Sequence, residues 1–231
     1  MQQEFVPYGE YEDIINLIGQ WKILDMKALK ELSNYKLKYR NLLHKVQKLE
    51  RHGLIRGVLL GRKNKHVFLT QKGIKYTPYD TTFEISNENL THDLIAARVL
   101  RDLLNYKGFK EGRMYHQITS DKLLPDAEII GAKNGETYRM ALEVELTQKS
   151  QDRVKEKFRL YGNGQGFSYA LFITNKETLF NTYKRFLLEM KADVQDGVIL
   201  LLDKSLSVTK FSYARAECFF MGKTMCFEDL F

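Results

Sequence analysis

The stretch Leu42-Leu43-His44-Lys45-Val46-Gln47-Lys48-Leu49-Glu50-Arg51-His52-Gly53-Leu54-Ile55 changes its period at a single residue. Up to Leu49, apolar side chains return every three or four positions, with Tyr39 extending the stripe upstream, as on a helix that buries one face. Gly53 stands where such a helix needs a left-handed stop. Beyond it, Leu54 to Leu60, the basic turn Gly61-Arg62-Lys63-Asn64-Lys65, and His66 to Thr70 read as strand, turn and strand. The spacing predicts a helix from about Lys36 to His52 and a hairpin after it. Upstream, Ile14, Ile15, Leu17, Ile18 and Trp21 give a helix within Tyr11–Leu24. Asp25 is placed to cap a short second helix carrying Met26, Leu29 and Leu32, and Ser33-Asn34 breaks it.

The charge is concentrated in the same region. The 231 residues carry a formal +7, but residues 1–78 hold 15 Lys and Arg against 7 acids, and the remainder is close to neutral. Between Lys36 and Lys75 there are 12 basic residues and one acid, Glu50. Such a block suits a polyanion, because each neutralised phosphate releases condensed counterions. It also suits a solvated Lys-rich helix face.

Three helices and a hairpin, with Leu-Glu-x-x-Gly-Leu-Ile at residues 49–55 and Leu69-Thr70-Gln71-Lys72-Gly73 closing them, resemble the winged helix-turn-helix superfamily of bacterial regulators. The resemblance implies binding to double-stranded DNA. The recognition helix would offer Lys36, Lys38, Arg40 and Asn41 to the major groove, with Lys45 and Lys48 further along and Arg62, Lys63 and Lys65 on the wing. A winged helix used for protein contact is the alternative. Winged helices often match two-fold operators as dimers, so a homodimer is expected.

Residues 79–90 read as a connector rich in turn formers, which sets domains at 1–78 and 91–231. After it come a helix to about Tyr106, a weak strand at Arg113–Ile118 and a strand at Asp126–Ile130. A hairpin signal at Asn134-Gly135 leads into a strand at Tyr138–Leu146 and a basic helix at Ser150–Tyr161. A strand at Phe167–Thr174, a helix at Glu177–Lys191 and a fully apolar strand at Val198–Leu202 follow. The order is αβββαβ with one αβ appended, and the stretch around Cys218 adds edge strands.

In the strand at 138–146, Glu143 and Glu145 share the face of Ala141, and the hairpin can bring Asp126 beside them. Clustered carboxylates repel and call for a hard cation such as Mg²⁺ or Mn²⁺. Equally, both glutamates could line a solvated face and pair with Lys149, Arg153 or Lys157. The αβββαβ order with Pro125-Asp126 and Glu143-Val144-Glu145 resembles the PD-(D/E)xK nuclease superfamily. That likeness implies a metal held by Asp126, Glu143 and Glu145, and catalysis by these residues with Lys149 in place of the motif lysine, where Glu145 stands. More particularly, Thr91-His92-Asp93-Leu94, Pro125-Asp126-Ala127, Glu143-Val144-Glu145 and Lys157-Phe158-Arg159-Leu160-Tyr161 resemble the replication-relaxation family of plasmid and mobile-element proteins. This implies a role in replication, transfer or transcription control. His92 could instead be a capping residue, and Tyr161 a packing one.

The composition excludes other classes. With 12% aromatic residues and three prolines, the chain is neither disordered nor fibrous. It lacks an apolar run of membrane-spanning length and an evident secretory signal, and its two cysteines, Cys218 and Cys226, match no zinc spacing. A cytoplasmic protein with no membrane partner is expected. No phosphate-loop, dinucleotide or nucleophile-elbow motif appears, so no small-molecule substrate is evident.

Overall fold

The computed structural model describes residues 5–60, 64–79, 87–115, 123–133, 135–162 and 166–230. They form two compact units divided between residues 86 and 87.

The first unit builds a small three-stranded sheet among helices. Helix α1 (Glu10–Trp21) buries Ile14, Ile15 and Ile18 completely. A strand β1 (Ile23–Asp25) follows where the sequence pattern extended the helix, and it pairs with a strand far along the chain. Helix α2 (Met26–Leu32) begins as expected, with Asp25 Oδ1 accepting from the Ala28 N–H at 2.8 Å. Helix α3 (Tyr39–Arg51) starts three residues later than its apolar spacing suggested. Lys36 has a φ of 46°, a left-handed conformation that no helix accommodates, while Leu37 is buried and anchors the turn. Tyr39, expected on the buried stripe, is therefore exposed at the first turn.

The end of α3 follows the expected chemistry. Gly53 adopts a φ of 68°, the Leu54 N–H reaches back to the Leu49 carbonyl at 3.0 Å, and the Gly53 N–H to that of Glu50 at 2.9 Å. Strands β2 (Ile55–Leu60) and β3 (Asn64–Leu69) pair antiparallel, and the sheet order is β1-β3-β2. Thr70 then caps the short α4 (Gln71–Ile74), its Oγ1 accepting from the Gly73 N–H. Leu42, Val46 and Leu49 of α3 are fully buried, a contribution of about 1.5–3 kcal/mol each.

The second unit is a seven-stranded mixed sheet between helices. Helix α5 (Asn87–Leu103) starts inside the expected connector. Strands β4 (Phe109–Met114), β5 (Ala127–Lys133) and β6 (Glu136–Val144) form an antiparallel meander. β4 lies earlier than the expected 113–118, and residues 116–118 fall outside the described set. The β5–β6 hairpin closes with Lys133 opposite Glu136. Gly135 has a φ of 84°, and its expected companion Asn134 is outside the described residues.

Helix α6 (Gln151–Gly162) crosses to β7 (Tyr169–Thr174), which lies parallel to β6. Helix α7 (Glu177–Leu188) and the short α8 (Ala192–Gln195) lead to β8 (Val198–Leu202), parallel to β7. Strands β9 (Glu217–Phe220) and β10 (Lys223–Cys226) complete the order β10-β9-β8-β7-β6-β5-β4. Cys218 is buried in β9 and Cys226 is exposed; both are free thiols.

Alternation along the strands assigns the two faces. Met140, Leu142 and Gly112 face α5, where a Cβ on Gly112 would meet Leu100 and Leu104. Ala141, Ala170, Phe172 and Leu200 face Val154 and Phe158 of α6 and Phe180 of α7. Among the described residues, α6 and α7 cover β7 and β8, whereas α5 packs against β4 and β5.

Candidate functional site

In the first unit, the helical turn of α3 sorts its polar residues. At about 100° per residue, Arg40, His44, Gln47 and Arg51 fall directly opposite Leu42, Val46 and Leu49, and all four are exposed. Lys36, Lys38 and Asn41 are also exposed at the start of the helix. Lys45 and Lys48 lie on the flank that faces α1. Lys45 Nζ is 2.5 Å from Glu10 Oε2 and stands over the Tyr11 ring; Lys48 Nζ stands over the rings of Phe5 and Tyr11. Lys65 of β3 is bound to Glu50 at 2.5 Å. Arg62 and Lys63 lie outside the described residues. Of the expected basic residues, those near the helix start are thus open, and three further along have partners within the unit. His44, Gln47 and Arg51 are not singled out by charge in the sequence; their signal is the helical angle that sets them opposite Leu42, Val46 and Leu49.

In the second unit, the strands bring carboxylates together at the carboxyl end of β6. Ala127 pairs with Leu142 and the Asp126 N–H donates to the Leu142 carbonyl, so Asp126 comes opposite Glu143 on the same face. Asp126 Oδ2 accepts from the Val144 N–H at 2.8 Å. Glu143 and Glu145 are 2% and 3% exposed, which removes the solvated-face reading of this strand. Both are met from α6 by Lys157, itself 9% exposed. Its Nζ donates to Glu143 Oε2 at 2.7 Å and to Glu145 Oε1 at 3.1 Å. Lys149 is exposed and donates to Thr147 Oγ1 at 3.2 Å. Lys157, on α6, is the lysine that contacts the two glutamates.

His92 approaches from α5. Its Nε2 lies 2.9 Å from the Val144 carbonyl oxygen and 3.3 Å from Asp126 Oδ2, and its Nδ1 lies 3.5 Å from Asp93 Oδ1. A ring with acceptors at both nitrogens is held as the doubly protonated cation. Burial opposes that charge, but Asp126 and Asp93 outweigh it and push His92 up to about 11. Burial likewise opposes the Asp126 charge, and His92 outweighs it, holding that carboxyl below its ordinary range. Glu143 goes the other way: burial first, then the facing Asp126, push it up to about 8. For Lys157, burial is overcome by Glu143 and Glu145, which keep the ammonium charged.

Among the described residues, Glu143 Oε1 and the hydroxyls of Tyr161 and Tyr183 are buried without a hydrogen-bond partner. Burial and the nearby carboxylates raise both phenols. No group of three or more His, Cys, Asp and Glu side chains among the described residues is arranged to hold a metal ion. The expected trio is divided, with Lys157 joining Glu143 to Glu145 and His92 holding Asp126. Asp126 and Glu143 face each other, and carboxylate oxygens are the ligand type that a hard divalent ion takes.

No helix among the described residues is long and apolar enough to cross a membrane. No family model matches the chain, and no curated protein matches it. Among solved structures there is a distant likeness to the restriction endonuclease FokI, at a TM-score of 0.27 and 12% identity over 76% of this chain and 40% of that one. The same enzyme bound to DNA gives a TM-score of 0.28 and 11% identity, over 77% of this chain and 41% of that one. The chain thus spans about two fifths of the length of the solved structures it resembles.

Proposed function

We propose that the chain is a sequence-specific DNA-binding protein, with a winged helix-turn-helix unit that reads duplex DNA and a PD-(D/E)xK-like second unit. The observation that carries this reading is the exposed row Arg40, His44, Gln47 and Arg51, opposite the buried side of α3 and flanked at its start by Lys36 and Lys38. A helix that offers Arg and Gln to solvent at one turn per step has the reach and the donors to address base edges. The motifs around His92, Asp126, Glu143 and Lys157 support a role like that of the replication-relaxation family, in replication, transfer or transcription control of a mobile element or its host. The protein would bind as a homodimer to a two-fold site. Gel shifts on genomic fragments test the assignment. Arg40→Ala with Lys38→Ala should weaken specific binding by tenfold or more, and undiminished binding would remove α3 from the interface.

A second reading, a Mg²⁺- or Mn²⁺-dependent DNA endonuclease, is favoured by one observation: a buried lysine stands between two buried glutamates beside Asp126. Asp126 and Glu143 would hold the metal. The ion, when bound, supplies an acidified water and positive charge against the scissile phosphate. His92 fixes the Asp126 carboxylate, and Lys157 holds a positive charge where negative charge would develop on phosphate oxygens. Plasmid incubated with the protein and Mn²⁺ should be nicked or cut, and Lys157→Ala should abolish the cutting. Cutting that persists in an Asp126→Ala, Glu143→Ala double variant comes from a contaminant and ends this reading.

A further inference from the structure

Two residues before Ile130 on β5, Glu128 is buried at 3% exposure on the side of the β4–β5 ribbon away from α5. It accepts from Arg113 Nε at 3.0 Å, Arg113 Nη2 at 2.9 Å and the Tyr115 hydroxyl at 2.7 Å, and also from Arg139 Nε. Burial opposes its charge, but Arg139, Tyr115 and Arg113 outweigh it and hold the carboxyl down at about 2. The arginines themselves are open, with side chains 56% and 45% exposed. Arg113 lies over the Tyr115 ring at 5.1 Å and Arg139 over the Phe167 ring at 5.0 Å.

Arg113 reaches only Oε2 of that carboxylate, through both Nε and Nη2, and Arg139 binds Oε1. Two guanidinium charges thus face one carboxylate, so the cluster keeps one positive charge in excess, and Arg139 is fixed in place by the same carboxylate and an aromatic ring. Arg139 bonds Glu128 through Nε and its side chain is 45% exposed, so its guanidinium keeps donor capacity for groups outside. A buried acid that orients two exposed guanidinium forks is an arrangement suited to anionic oxygens outside. Strand register fixes where the forks stand. Arg113 is opposite Glu128, Glu128 is opposite Ala141, and Arg139 precedes Ala141 by two on the same face. Along the strands, Asp126 is about 7 Å from Glu128 and Glu143 about 13 Å from Arg139. That is about two to four base-pair steps of a duplex.

We propose that Arg113 and Arg139 form a phosphate-binding fork on the β4–β5–β6 face away from α5, holding a DNA backbone that runs toward Asp126 and Glu143. The fork deepens the nuclease-like reading of the second unit and rests on it. A carboxylate-rich protein surface is the competing occupant, but two planar forks on β4 and β6, either side of β5, match successive phosphodiesters more closely than scattered carboxylates.

The experiment uses the full chain and a fluorescent duplex bearing its binding site, with affinity measured across 50–200 mM salt. Two phosphate contacts contribute about 1.8 to the slope of log affinity against log salt, or about twelvefold over that range. Arg113→Gln with Arg139→Gln should lose that much, and Arg139→Gln alone about half of that contribution. Because the double variant strands a buried carboxylate, it is repeated with Glu128→Gln, which keeps the fold while removing the need for a counter-ion. An unchanged slope in this folded triple variant, with Lys38→Ala and Arg40→Ala still weakening binding, overturns the fork alone. It would leave the cluster as an internal ion network or a protein-facing surface. If the unaltered chain binds no duplex, the proposed function and the fork fail together.

Discussion

A Cβ on Gly73 would sit 1.9 Å from the Leu54 carbonyl oxygen, the atom that also accepts the Thr70 N–H at 3.1 Å. The backbone of the closing turn can approach α3's exit only if residue 73 has no side chain. Gly73→Ala should destabilise the first unit by about 1–3 kcal/mol, with the loss seen in a urea titration of the full chain. This residue was legible in the sequence, since Leu69-Thr70-x-x-Gly73 is a local pattern with a local cause. Glu128 was not, because nothing within five residues of it signals two arginines from neighbouring strands. Its pH behaviour follows from its surroundings. The folded carboxyl sits at about 2, below its ordinary 4.5, so its stabilising effect is present above about pH 4.5 and fades as pH falls toward 2. The difference in melting temperature between the unaltered chain and Glu128→Gln should therefore shrink between pH 6 and pH 3. A constant difference would mean that the carboxylate is not ionised among its arginines.

At the scale of elements, α3 and the hairpin after it were legible because their periods are local and the switch falls on one glycine. Strand β1 was hidden. Ile23-Leu24-Asp25 is three residues long, and its partner Val67–Phe68 lies more than forty residues away. Strand β4 was displaced in the reading because Gly112 interrupts its pattern, and that glycine is needed beneath Leu100 and Leu104 of α5. Lys157 was legible only in part: the sequence offers it beside Lys149 and Arg153 as a surface partner of the two glutamates, and only the packing of α6 over β6 buries it between Glu143 and Glu145. The interaction of α6 with β6 is correspondingly charged rather than apolar at this point. Lys157→Met would leave two buried glutamates without a cation and should cost about 3–5 kcal/mol. Adding Glu143→Gln and Glu145→Gln to that variant should recover most of the loss. If the triple variant is as unstable as the single one, the loss does not come from uncompensated charge on the two glutamates.

For the whole molecule, the division of charge and the division of structure coincide. The excess of positive charge lies in residues 1–78, and among the described residues the first compact unit lies before residue 87. The two units also bury their apolar residues separately, one around α1 and α3 and the other on both faces of the seven-stranded sheet. Calorimetry on the full chain should therefore show two transitions. A duplex that binds only the folded first unit raises its stability by about 2.7 kcal/mol at a hundredfold excess over Kd. For a unit of this size that moves its transition upward by about 10 °C or more. If the exposed row on α3 is the reading surface, Arg40→Ala with Arg51→Ala should abolish that shift and leave the ligand-free transitions where they were, since both side chains are exposed. A shift confined to the other transition would place the duplex on the sheet unit and make the fork of Arg113 and Arg139, not α3, the principal site of DNA contact.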